Sequence, residues 1–155
     1  MPQINKGGKF IFGKSVVRND GTVQIPAPAI EEYGITNEDK VYLFTGSKIT
    51  GGFCVTRKNL LLPSKLGHIL TDTPALLNYT SDSGVFIKYK GRFYCWREIS
   101  RDGRIILSPD MMDFLHIVSG MELLCIRSSD IAFTMGAKGP LLERSQNYKG
   151  ALPVY

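Results

Sequence analysis

The chain has 155 residues, of which 43% are hydrophobic and 21% charged, which is enough apolar material for one compact core and excludes a globally disordered chain. No apolar run approaches the roughly 18 residues of a membrane-spanning helix, and the opening MPQINKGGKFIFGK lacks the apolar core of a secretory signal. The expected location is therefore the cytoplasm, with no membrane partner; the net charge of +5 permits phosphate or acidic partners without requiring them.

In chain order, KFIFGKSVV predicts a strand running into a turn at Asp20-Gly21, where glycine supplies the positive φ of a tight hairpin. TVQIP predicts the return strand, and a helix of barely two turns follows, with Ala29, Ile30 and Tyr33 on its apolar face and Gly34 placed to end it. KVYLF and FCVT predict a further strand pair. The connector that follows has Leu66, Ile69 and Leu70 at helical spacing, Ser64 as a candidate cap and Pro74 as an interruption. VFIKYKGRFYCWR alternates, with Val85, Ile87 and Tyr89 on one side, Phe86, Lys88 and Lys90 on the other, and Lys90-Gly91 as the turn. Its interleaved aromatics and cations also suit a single-strand nucleic-acid platform, but a plain hairpin explains them, with Trp96 as a packing anchor. Next come RIILS after Asp102-Gly103, a helix capped by Ser108 with Pro109 at its first position and Met111, Met112 and Leu115 on one face, and the strands ELLCI and IAFT. The tail GAKGPLLERSQNYKG predicts a loop and a short helix opened by Pro140.

This order contains itself twice. Asp20 falls on Asp102 and Gly21 on Gly103, an offset of 82 that holds without a gap through Phe44 and Ile126. Val17 meets Ile99, Val23 meets Ile105, Ile25 meets Leu107, Ile30 meets Met112 and Val41 meets Leu123. Upstream, Ile11 and Phe12 meet Phe93 and Tyr94; downstream, TGSKITGGFCVT matches RSSDIAFT if the first copy has the longer hairpin. The predicted organisation is a first repeat at 7–58, a connector at 59–88 ending in the first strand of a hairpin, a second repeat at 89–135 and a tail at 136–155. A unit this small buries little surface alone, so two fused copies suggest an intramolecular pseudo-dimer.

NDGTVQIPAPAIEEYGITNEDKVYLF and SRDGRIILSPDMMDFLHIVSGMELLCI resemble the swapped-hairpin domain of the AbrB, MazE and SpoVT proteins. The fusion of two copies also resembles MraZ, although the basic DxxxR motif of that group is absent. The resemblance covers about two thirds of the chain. It implies a mainly β fold with short helices (α+β), in which two repeats interleave their hairpins into a swapped-hairpin β-barrel. It also implies a transcriptional regulator that binds double-stranded DNA.

Family members that bind DNA place arginine after the turn glycine and basic residues in the middle of the short helix. Here the first position is Thr22 in one repeat and Arg104 in the other, and the helix positions are Ile30 and Glu31, and Met112 and Asp113. Only Arg104 keeps the pattern. The acids Glu31, Glu32 and Asp113 favour their helix dipoles but would face a polyanion. The candidate DNA contacts are accordingly Lys14, Arg18, Arg97, Arg101 and Arg104, reaching the duplex backbone; the same residues can equally serve as solvated charges guarding strand edges. The alternative is a non-DNA-binding oligomerisation or protein-interaction module, a homo-oligomer or heteromeric partner engaging through the connector and tail.

Cys54, Cys95 and Cys125 lack CxxC spacing and read as reduced core residues. His68 and His116 have no neighbour at metal-ligand spacing, and no nucleophile with a base or carboxylate pair emerges, so neither cofactor, metal nor catalysis is expected.

Overall fold

A computed structural model describes residues 10–146 and 152–155. The first three residues assigned to repeat 1, at 7–9, and the tail segment 147–151 lie outside the described residues. The protein is mainly β: a seven-stranded antiparallel sheet in the order β1-β8-β9-β4-β3-β6-β5, a two-stranded ribbon β2-β7, and short helices. Repeat 1 supplies β1 (Ile11–Val16), β2 (Thr22–Gln24), α1 (Ala27–Tyr33), β3 (Lys40–Thr45) and β4 (Phe53–Thr56). The connector forms α2 (Lys58–Leu61), which starts one residue before its expected bound, α3 (His68–Asp72), α4 (Pro74–Leu77) and β5 (Ile87–Tyr89), which ends one residue beyond it. Repeat 2 supplies β6 (Arg92–Glu98), β7 (Arg104–Ile106), α5 (Pro109–Leu115), β8 (Glu122–Arg127) and β9 (Phe133–Gly136), whose last residue lies one past the expected bound, and α6 (Pro140–Gln146) follows.

Pairing crosses between the repeats. β1 pairs with β8, β6 with β3, and β2 with β7, so the first strand of each repeat pairs with the third strand of the other. The registers obey the 82-residue offset: Val16 opposes Glu122 as Glu98 opposes Lys40, and Val23 opposes its own counterpart, Ile105. The sheet is open, ending at β1 and β5, and does not close into the expected barrel.

Two parts of the repeat alignment shift. A bulge between Ile11 and Gly13 puts Ile11 opposite Ile126 as Tyr94 is opposite Phe44, so Phe10 and Ile11, not Ile11 and Phe12, are the counterparts of Phe93 and Tyr94. The extra residue, Phe12, is buried in the main core. At the other end Leu43 opposes Val55 and Cys125 opposes Met135, so FCVT corresponds to FTMG rather than IAFT. Pleat alternation alone cannot detect a slip of two residues, because it leaves every side chain on its face.

The helices follow local chemistry. Ser108 accepts from the Met111 N–H at 3.2 Å and caps α5, whereas α1 starts at Pro26 without a side-chain cap. Gly34 and His116 end these helices in the left-handed region at φ 56° and 57°, which gives the solitary His116 a backbone role. Ser64 caps no helix: its hydroxyl donates to Leu61 O at 2.7 Å and accepts from Leu66 N–H at 3.2 Å, and the predicted connector helix is broken into α3 and α4 at Thr73-Pro74. Lys90 and Gly91 both have positive φ, 47° and 83°, as a two-residue hairpin demands.

The main core lies between one sheet face and a cover of β2, β7, α1 and α5, joining Val23, Ile25, Tyr33, Ile105, Leu107 and Met111 to Cys95, Cys125 and Phe133. A second cluster packs Leu61, Ile69, Leu70 and Leu76 of the connector against Tyr42, Phe44, Tyr94 and Trp96 on the other face. Trp96 is the expected anchor: it is buried and its indole N–H donates to Ser81 O at 2.8 Å. All three cysteines are buried and none forms a disulfide; burial pushes the Cys95 thiol up to about 12 and raises that of Cys125.

Candidate functional site

The crossed pairing brings two turns 82 residues apart in sequence to one ribbon. Gly21 and Gly103 adopt the same φ of 85° and exchange backbone bonds with the opposite repeat: Leu107 N–H donates to Gly21 O at 2.9 Å and Ile25 N–H to Gly103 O at 2.8 Å. Each aspartate braces its own turn. Asp20 accepts from the Thr22 N–H at 2.9 Å, and Asp102 accepts from the Ser100 hydroxyl. The Thr22 hydroxyl and N–H at Asp20, and the Ser100 hydroxyl at Asp102, hold both carboxyls below their ordinary value of 3.8, with Arg18 contributing to the first and Arg104, then Arg18, to the second.

Beside the turns lies an open groove of about 610 Å³ whose walls include Arg18, Arg97 and Arg104 together with Asp20, Glu98 and Asp102. The guanidiniums are partly engaged. Arg104 Nε donates to Gln24 Oε1 at 3.0 Å and lies 3.3 Å from Asp102 Oδ2. Arg97 Nε donates to Ile106 O at 2.7 Å, and its NH1 reaches Ser83 Oγ at 3.3 Å. The counterpart of Arg97 is Ser15, whose hydroxyl donates to Gln24 O at 2.5 Å. Both residues therefore satisfy a carbonyl left open by the three-residue ribbon strands, one with a hydroxyl and one with a charge.

Of the five sequence candidates, Arg18, Arg97 and Arg104 share this groove, and Arg101 is exposed in the turn between Ser100 and Asp102. Lys14 is elsewhere. Its side chain is 12% exposed and 3.9 Å from Glu122, and its backbone is covered by the C-terminal residues: Lys14 N–H donates to Pro153 O at 2.8 Å, and Tyr155 N–H donates to Lys14 O at 2.7 Å. Glu31 and Asp113 are exposed on their helices, so both helix surfaces present acid.

Gln24 escaped sequence reasoning. Its amide donates to Asp102 O at 2.6 Å while its carbonyl accepts from Arg104, tying one repeat's strand to the other's turn. The readable signal is that the offset sets this polar residue against Ile106, one of several polar–apolar mismatches in the alignment.

Among the described residues no group of His, Cys, Asp and Glu could hold a metal, and no helix is long and apolar enough to cross a membrane. No family model matches the chain, and no curated protein matches it.

Proposed function

We propose that this protein is a DNA-binding regulator on an AbrB-like swapped-hairpin scaffold, its two repeats acting as an intramolecular pseudo-dimer. The observation that carries the reading is the crossed pairing, which supports the family resemblance and gathers Arg18, Arg97, Arg101 and Arg104 about two adjoining turns. Arg18, Arg101 and Arg104 would contact phosphates, and Arg97 would hold the ribbon. Acidic helices leave no basic group where a base-reading side chain would stand, so the expected binding is to the backbone and nearly sequence-independent.

Few phosphates are neutralised in such a complex. With about three contacts the logarithm of affinity falls against that of salt with a slope of about −3. Titration of a random-sequence duplex between about 50 and 200 mM salt measures that slope. The triple variant Arg18→Ala, Arg101→Ala, Arg104→Ala is expected to lose most of the affinity, and wild-type protein that fails to bind at the lower salt refutes the reading.

A second reading, an interaction module without DNA affinity, is favoured by Asp20, Glu98 and Asp102 in the same groove, where they balance its three arginines. That failed titration is the result it requires.

A further inference from the structure

The two ends of the main core are finished differently. In repeat 1 the Phe10 ring is covered by Arg127, whose guanidinium carbon lies 4.7 Å from its centroid, and Arg127 Nε donates to Glu32 Oε2 at 2.7 Å. The pseudo-symmetric positions in repeat 2 are Phe93 for Phe10, Thr45 for Arg127 and Phe114 for Glu32, so the charged lid is replaced by a bare aromatic. Phe114 stacks on Phe86 at 4.5 Å and meets Phe93 edge-on at 5.1 Å, yet remains 42% exposed, and Val85 beside Phe86 is 55% exposed.

This aromatic seam joins two elements of opposite charge. The β5–β6 hairpin carries the exposed Lys88, whose ammonium lies 6.0 Å from the Phe93 ring, whereas Lys90 at its turn lies over the Tyr89 ring of the second cluster, 5.3 Å from its centroid. Helix α5 carries the exposed Asp110 and Asp113 next to Phe114. A patch with an apolar centre, a cation on one flank and acids on the other is complementary to itself after a two-fold rotation. We infer that the occupant is a second copy of this chain, in an isologous dimer with Phe114 against Phe114 and Lys88 of each copy facing the aspartates of the other. A single-stranded nucleic acid suits the patch less well, because the Phe114 ring is already stacked and two aspartates flank it.

Sedimentation equilibrium of the full chain tests this. The wild type is expected to dimerise in the micromolar range. Phe114→Glu, which installs the residue that repeat 1 carries at this place, is expected to weaken the dimer by about thirtyfold or more, with an unchanged circular dichroism spectrum. Lys88→Glu and Asp110→Lys with Asp113→Lys each make the patch single-signed. Each is expected to abolish self-association, and the two proteins mixed are expected to form a heterodimer. A wild type that is monomeric at about 200 µM, a dimer indifferent to Phe114→Glu, or a mixture that stays monomeric overturns the inference.

Discussion

Gly21 and Gly103 occupy equivalent turns with the same φ, yet their surroundings differ. A Cβ at Gly21 would lie 2.1 Å from the carbonyl oxygen of Leu107, a backbone atom held by the ribbon. At Gly103 the nearest atom would be Ile30 Cδ1 at 2.2 Å, the far end of a partly buried side chain that can rotate away. Both substitutions force a side chain into the left-handed region, costing about 1 kcal/mol, and Gly21→Ala must also displace backbone. Gly21→Ala is expected to destabilise the protein by about 3 kcal/mol and Gly103→Ala by about half of that, as measured by urea denaturation. Equal losses would mean that the ribbon yields as easily as the isoleucine. The two glycines were recognisable in the sequence because an Asp-Gly pair between apolar runs demands a turn, whereas the inequality between them was not, since it depends on which atoms the other repeat brings close.

The turns as elements make a pH prediction. Asp20 and Asp102 have carboxyls held below 3.8 in the folded protein by bonds that the unfolded chain lacks. A depressed folded value means stability that is present above the unfolded value and lost as pH falls through the folded one. The melting temperature is therefore expected to fall below about pH 4, and the Asp20→Asn, Asp102→Asn double variant is expected to show a shallower acid limb. Strand–turn–strand–helix order was legible because hydrophobic alternation, a capping serine and turn glycines are local signals. The bulge at Phe12 and the register of β9 were not, because both are settled by the partner strand. The candidate arginines were legible as residues and not as a site: Arg97 and Arg104 are partly taken up by carbonyls, Gln24 and Asp102, and Lys14 is enclosed under the C-terminal residues.

At the scale of the molecule, crossed pairing makes the repeats inseparable. β1 lies on β8 and β6 on β3, so four strands from the two repeats form both arms of the sheet, and the ribbon β2-β7 closes the main core above them. Neither repeat can complete its sheet alone, because each first strand then faces no third strand and leaves its backbone groups open. The connector adds Leu61 at one end and Ile69, Leu70 and Leu76 at the other to the second cluster, with exposed Lys65 between them. Cutting the chain at Lys65 removes continuity without removing any of these contacts. Limited trypsin digestion that cleaves there is expected to give two fragments that co-elute at native size and separate only in denaturant. Fragments that part under native conditions would show that the connector, rather than the crossed pairing, holds the halves together, and the fold would then owe its stability to loop closure.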